Sequence, residues 1–386
     1  MENDSMRYIS SGESHGEQIT IILEGVPSNL EIDIEIINNE LKKRQLGYGR
    51  GGRMKIEKDE VLITGGVIFG KTTGAPLTLI IKNKDFRNHQ RVMDPLAFDL
   101  THYQPVTVPR PGHADLVGAI KYNIRDMKPI FERASARETV SRVVVGAICK
   151  QILDKLNIEV TSFVKNIGGI EVDESEFNFD YLPQSEVRMP SEAKSKKAME
   201  LIDQAKLNKD TLGGKVMVVA NNVPIGLGSH VSSLAKLDGK IAQSLIGIQA
   251  CKGVEFGDGF QLANHFGSQV HDEIIFSKDQ GFSRKSNHYG GFEGGMTSGM
   301  PIVVKAVFKP IPTLMRPLDS IDINTKEIKP SHIERSDVCV IPSAALICEH
   351  SVNYELTKEI CEMFTSNTME ALIDSVASYR TYLMGF

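Results

Sequence analysis

Residues 135–156 read SARETVSRVVVGAICKQILDKL, and this stretch decides the architecture. Ser135-Ala136-Arg137-Glu138 has the spacing of a capping box, in which the serine hydroxyl and the glutamate carboxylate each accept from the other's backbone amide. The run that follows is apolar nearly all round, as expected for a helix buried on most of its surface. Ala344 to Phe364 has the same character near the other end of the chain. Strand-like segments flank both: Gln18 to Val26, Val61 to Phe69, Leu77 to Lys82, Val216 to Pro224 and Pro301 to Lys309 are rich in β-branched and alternating apolar residues. Two apolar helices among such strands predict an α+β fold, with helices sandwiched between sheets.

Shorter signals complete the frame. Asp33 to Lys43 has helical periodicity with Asp33 as its N-cap. Leu237 to Cys251 and Met369 to Tyr379 also read as helices. Residues 172–209 are polar and acidic, ending in a helix from Ser191 to Leu207, and read as a surface excursion. With no internal repeat and no linker rich in Pro, Gly or Ser, residues 1–386 are expected to form a single domain.

Composition narrows the function. Hydrophobic residues make up 41% and charged residues 24% of the 386, as in an ordinary globular enzyme. The net charge of −5 argues against a nucleic-acid or membrane-surface binder, which carries a basic excess. No apolar run reaches bilayer length, and the N-terminus lacks the apolar core of a signal peptide. Five cysteines without a C-x-x-C pair suit reduced thiols in the cytoplasm.

Three glycine-framed segments and the run Glu132 to Ser135 carry candidate chemistry. Gly12-Glu13-Ser14-His15-Gly16 matches G-x-S-x-G, the nucleophile elbow of α/β-hydrolases. The elbow needs a helix after the serine and earlier strands before it. Here a strand follows and only Arg7 to Ser11 precede, so His15 is the better candidate. Arg44-Gln45-Leu46-Gly47-Tyr48-Gly49-Arg50-Gly51-Gly52-Arg53 sets three arginines in one loop. Glycine lets backbone approach a ligand and guanidinium forks match carboxylate and phosphate oxygens. The stretch is too short and unrepeated for an RGG-type RNA tether. Arg110-Pro111-Gly112-His113-Ala114-Asp115 supplies a second histidine beside an arginine. Two histidines in Gly-framed turns suit acid–base work. Glu132-Arg133-Ala134-Ser135 leads into the capped helix, whose N-terminus favours a phosphate, although capping alone also explains it. Tyr289 to Gly299 is a further glycine-rich loop without the strand–helix setting of a dinucleotide fingerprint. No histidine cluster has metal-ligand spacing, and no metal is expected. Asp337 is read as a helix cap, a surface acid, or a base paired with Arg335. The residues alone point to an enzyme that binds a multiply anionic small molecule and moves protons through two histidines.

Taken in order, these segments resemble the chorismate synthase family from about residue 7 to residue 380. The resemblance rests on Gly12 to Gly16, on Glu132 to Val143, and on Arg335-Ser336-Asp337 running on to Glu349. Arg110 to Asp115, Gly226 to Ser229, Lys252 to Gly257 and Gly290 to Thr313 also match. It implies a β-α-β sandwich, helices between antiparallel sheets, assembled as a homotetramer. It implies loss of phosphate from 5-enolpyruvylshikimate 3-phosphate by trans 1,4-elimination, giving chorismate, with reduced FMN required. Carried over residue by residue, His15 is the proton donor to phosphate, His113 protonates or polarises the flavin, and Asp337 is the acid near the flavin. FMN contacts fall on Arg133, Ala134, Ser135, Gln249, Ala250, Gly294, Lys309, Pro310, Ile311, Pro312, Thr313 and Arg335. Arg44, Arg50, Arg53, Arg110, Arg137 and Arg335 line the anionic site, and Arg44 and Arg50 match positions associated with NADP. NADPH is therefore a candidate reductant of the FMN, but the chain's bacterial-type length favours an external flavin reductase. Three departures bear on FMN contacts: Ala134 replaces a second serine, Gln249-Ala250 replaces Asn-Ala, and Val338-Cys339 replaces Pro-Thr or Pro-Cys. A non-catalytic flavin- or anion-binding regulator on the same scaffold is the competing reading.

Overall fold

The computed structural model describes residues 5–51, 58–96, 101, 103–279, 281–334 and 336–386. Strands Arg7–Ser11, Gln18–Glu24, Leu77–Lys82 and Val61–Gly65 lie in that order in one antiparallel sheet. A second antiparallel sheet has the order Cys251–Phe256, Ile302–Phe308, Gly214–Asn221, Glu159–Ile167 and Ile170–Glu171. Both alternate as half-buried sheets must. Ile19, Ile21 and Leu23 point inward with Leu77, Leu79 and Ile81, and none is more than 1% exposed.

Helices Ile34–Gln45 and Thr139–Lys155 pack under the first sheet, and Ile341–Met363 packs on the second. The two sets of helices meet in the middle. This is the sandwich expected from the sequence. Val140, Val143, Val144, Ala147, Ile148 and Ile152 are wholly buried on several sides of one helix, each large one contributing about 1.5–3 kcal/mol. The helices Thr139–Lys155 and Ile341–Met363 touch at Gly146, where an added Cβ would lie 2.4 Å from both the Cβ and the carbonyl oxygen of His350. A helical glycine costs about 1 kcal/mol against alanine, and here it permits backbone contact. The buried apolar side chains of both sheets and the intervening helices form one continuous cluster.

Several boundaries differ from the sequence reading. The capping box at Ser135 does not form: residues 136–138 make a 3₁₀ turn and the α-helix begins at Thr139. Ser135 Oγ instead accepts from the Arg137 amide at 3.3 Å, and Glu138 turns to Ser141 at 2.9 Å. Asp33 caps its helix as expected, accepting from the amides of Glu35 and Ile36. The run 61–69 breaks at Gly66, whose φ of 81° ends the first strand. The helix expected to reach Cys251 stops at Ile246, because Ala250 turns left-handed (φ 68°) and Cys251 starts a strand. In the 172–209 segment, Val172, Val187, Met189, Ala198 and Ile202 belong to the common core and Ser195 is buried with them, while the charged side chains are exposed or half-buried. Among the described residues no helix is long and apolar enough to cross a membrane. All five cysteines are free, four of them buried.

Candidate active site

The connection between Arg7–Ser11 and Gln18–Glu24 is a hairpin loop, and it presents His15. Gly12 makes the loop possible: at its φ of 114° a Cβ would collide with the Gln18 carbonyl oxygen at 2.2 Å. A strand follows the serine where an elbow would need a helix, and Ser14 Oγ accepts from Ser135 Oγ at 3.1 Å. The loop is clamped to the short helix Lys128–Ala134. Glu132 accepts the Ser14 amide on its carbonyl (3.1 Å), and the His15 amide (2.8 Å) and ring Nδ1 (2.8 Å) on its carboxylate. Lys128 Nζ donates to the same carboxylate at 3.2 Å. Burial works to raise the Glu132 pKa, but hydrogen bonds from His15, its charge and that of Lys128 outweigh it and hold it at about 2. Arg133 faces the other way and donates to the carbonyls of Ser10 and Gly12, fastening the hairpin.

His113 forms a second histidine–carboxylate pair, with Nδ1 2.6 Å from Asp115 Oδ1. Arg110 grips the same carboxylate with Nε (2.8 Å) and Nη2 (3.0 Å), and reaches Thr313 Oγ1 with Nη1 at 2.9 Å. Its Nη2 also lies 3.1 Å from His113 Nδ1. Both are donors if Nδ1 bears the proton that the carboxylate demands, so His113 offers Nε2 to the cleft. Burial opposes ionisation of Asp115, yet His113 and Arg110 hold its pKa well below the usual carboxylate range.

Both histidines line one cleft of about 610 Å³. Arg44, Arg50, Arg110, Arg137, Lys309 and Asp337 line it too. Arg44 and Arg137 approach a single buried carboxylate, Asp59, at 3.3 and 2.8 Å. Asn83 Oδ1 accepts from Arg137 Nε at 2.8 Å, but Arg137 Nη2 is buried with no hydrogen-bond partner. Asp337 pairs with Arg50 Nη1 at 2.9 Å and accepts the Gly51 amide. Lys309 Nζ donates to the Gly112 carbonyl, and burial together with Lys252 lowers its pKa. Ile248, Ala250, Ile311, Pro312 and Ile347 make an apolar wall, beside which Gln249 Oε1 is buried without a hydrogen bond.

Most of the sequence-derived candidates thus converge. Ala134, Ser135, Gln249, Ala250, Lys309, Ile311, Pro312 and Thr313 all line the cleft; Arg133, Pro310 and Gly294 do not. Gly294 lies exposed in the hairpin Phe292–Glu293/Met296–Thr297. Arg53 and Arg335 fall outside the described residues, and with them the pairing of Asp337 with Arg335. Four contributors went unassigned in the sequence. Glu132 and Asp115 stand inside quoted motifs, and the two-residue step from His113 was the available signal for Asp115. Asp59 and His89 had none; the His89 ring packs 4.2 Å from that of His15, tilted by 35°.

The chorismate synthase family profile matches residues 6–361. The chain belongs to the chorismate synthase family. It is a lyase of that family. The chorismate synthase of Staphylococcus carnosus (strain TM300) is 50% identical over 383 residues, covering 97% of this chain and 98% of the relative. That of Staphylococcus aureus (strain MRSA252) is 49% identical over 383 residues, with the same coverage. A crystal structure of chorismate synthase superposes with a TM-score of 0.80 at 39% identity, covering 99% of each chain. The sandwich and the family expected from the sequence both stand.

Proposed function

We propose that this chain converts 5-enolpyruvylshikimate 3-phosphate to chorismate by trans 1,4-elimination of phosphate, with reduced FMN bound, as part of aromatic amino-acid biosynthesis. The observation that carries the reading is the shared Asp59. One carboxylate stands between two buried guanidinium groups, and Arg137 keeps a buried donor without a partner. Lys309 adds a further cation on the cleft wall. A ligand with two carboxylates and a phosphate supplies acceptors for these donors, in a site where low dielectric strengthens each contact.

The cleft also suits FMN. Its apolar wall matches a flat ring system, Gln249 Oε1 is a buried acceptor awaiting a donor, and Lys309 and Ser135 stand ready for a phosphate. Ala134, Ser135, Gln249, Ala250, Lys309, Ile311, Pro312 and Thr313 would hold it, with Arg335 and the more distant Arg133, Pro310 and Gly294 assigned by resemblance alone. Bound reduced FMN supplies electron density that eases departure of the phosphate, without net redox change. The chain's own residues do the rest. Arg44, Arg50, Arg110 and Arg137 (with Arg53 and Arg335 by resemblance) orient the substrate anions. His15, fixed through Nδ1 by Glu132, gives a proton to the leaving phosphate from Nε2. His113, fixed by Asp115, holds a proton toward the flavin. Asp337, steadied by Arg50 and the Gly51 amide, accepts the ring proton.

We assign the protein to the cytoplasm, which five free thiols support, and treat residues 1–386 as one domain, which the continuous core supports. A homotetramer is the assembly that membership favours. Exposed Ile274, Phe276, Phe282 and Phe386 give such an assembly apolar surface to bury. Flavin reduction is assigned to an external reductase, with NADPH consumption by the protein and FMN as the check. The deciding assay is anaerobic turnover of 5-enolpyruvylshikimate 3-phosphate with reduced FMN. Phosphate release no faster than with free reduced flavin sinks the proposal and leaves the non-catalytic regulator.

A further inference from the structure

We propose that His15, His89 and Asp85 form a binding site for Zn²⁺ at the edge of the cleft. The inference goes beyond the elimination reaction and rests on the arrangement of these side chains. One ligand atom from each lies within 4.8 Å of the other two. Two imidazoles and one carboxylate are a frequent zinc set that leaves a coordination position open.

Three observations support a cation here. The first is the outer shell. A metal-bound histidine characteristically donates its other ring nitrogen to a carboxylate, which fixes the ring and its tautomer. His15 has that arrangement already: Nδ1 is 2.8 Å from Glu132, so Nε2 is the atom the ring presents to a metal. The second is the carboxylate. Asp85 is fully buried, Asn88 Nδ2 holds its Oδ1 at 2.7 Å, and its Oδ2 lies 3.7 Å from His89 Nε2. Asp85 and His89 are four residues apart at the start of the helix Phe86–Met93, the spacing that puts two side chains on one face. The third is charge. Asp85, Glu132 and Glu334 surround the two imidazoles, with Lys128 on Glu132 and His332 on Glu334 at 2.9 Å.

Zinc–nitrogen bonds of about 2.0–2.1 Å require the three atoms to draw closer than they stand. The stacked His89 ring must turn edge-on toward Nε2 of His15. Its side chain is partly exposed and lines the cleft, which is where the turn takes place. A zinc ion so held occupies the face of His15 that the elimination uses.

The test uses the full chain, dialysed against a chelator and titrated with Co²⁺, then Zn²⁺. The expected result is one Co²⁺ per chain with the strong visible bands of four-coordinate N/O ligation, bleached by one equivalent of Zn²⁺. His89→Phe keeps a ring against His15 and removes a ligand; it abolishes those bands while the metal-free melting temperature stays near wild type. Glu132→Gln weakens affinity roughly 10–100-fold. Unchanged affinity in His89→Phe overturns the proposal, as does a weak six-coordinate spectrum or thiolate-to-cobalt charge transfer from a cysteine. The readout is optical, so it stands apart from turnover. A protein that is inactive when metal-free, yet binds cobalt this way, defeats the proposed reaction alone.

Discussion

His15 with Glu132 and His113 with Asp115 are the same chemical unit built in two ways. Each joins a ring Nδ1 to a buried carboxylate, and each carboxylate also carries a cation, Lys128 in one case and Arg110 in the other. The first pair is assembled across 117 residues and holds a hairpin loop against a helix. The second closes within two residues, and its carboxylate is consumed by an arginine that also reaches Thr313. Glu132 therefore acts mainly through the ring it positions, whereas Asp115 also holds the interior together. A long-range pair can be removed with the local fold intact, but a pair that neutralises a buried arginine cannot.

The comparison breaks first at the rings themselves. His15→Ala and His113→Ala are each expected to lower turnover by about 10²–10⁴-fold, the usual worth of a general acid or base, with unchanged circular dichroism. Near-normal rates in both variants remove the histidines from the mechanism. The carboxylates should then separate. Asp115→Asn leaves Arg110 buried without its counter-ion and is expected to cost about 3–5 kcal/mol, read as a lowered midpoint in urea. Glu132→Gln retains an acceptor for Nδ1 and faces partly exposed partners. It should lose under half as much stability, while its kcat falls and its KM holds. Equal destabilisation by the two substitutions ends the distinction.

Acid titration offers a finer probe. Glu132 and Asp115 both have folded-state pKa values below their unfolded ones, Glu132 at about 2. Their stabilisation is present above the unfolded value of about 4 and is lost as pH falls toward 2. Urea midpoints should decline over that window, and Glu132→Gln should flatten part of the decline. The smallest effect belongs to the scaffold. Gly146→Ala should lower the melting temperature by forcing the two central helices apart at His350, with an overpacking cost of about 1–3 kcal/mol. It should leave the difference between the two carboxylate variants unchanged.

The central layer was legible because one helix is apolar all round, a pattern that only burial on several sides explains. Strands with alternating residues, such as Gln18–Glu24, were equally readable. Glu159–Ile167 was missed because it follows the helix after a short turn at Asn157 (φ 55°), and its apolar residues continue the helix's own run. The anionic cleft was readable in outline, since arginines beside glycines mark places where backbone and charge approach a ligand together. Asp59, Glu132 and His89 were not, because each acquires its meaning from a partner far away in the chain. The capping box failed for a related reason: Arg137 is drawn toward Asp59 and Asn83, and the first turn tightens around it.

Asp59, shared by Arg44 and Arg137, has a consequence for the lifetime of the protein. The two guanidinium groups repel each other across the carboxylate they share. A polyanion in the cleft relieves that repulsion, and occupancy and folding become linked. At a hundredfold excess over its dissociation constant, a ligand that binds only the folded chain adds about 2.7 kcal/mol. The supply of substrate would then help set how much of the enzyme survives proteolysis, as well as how fast it works.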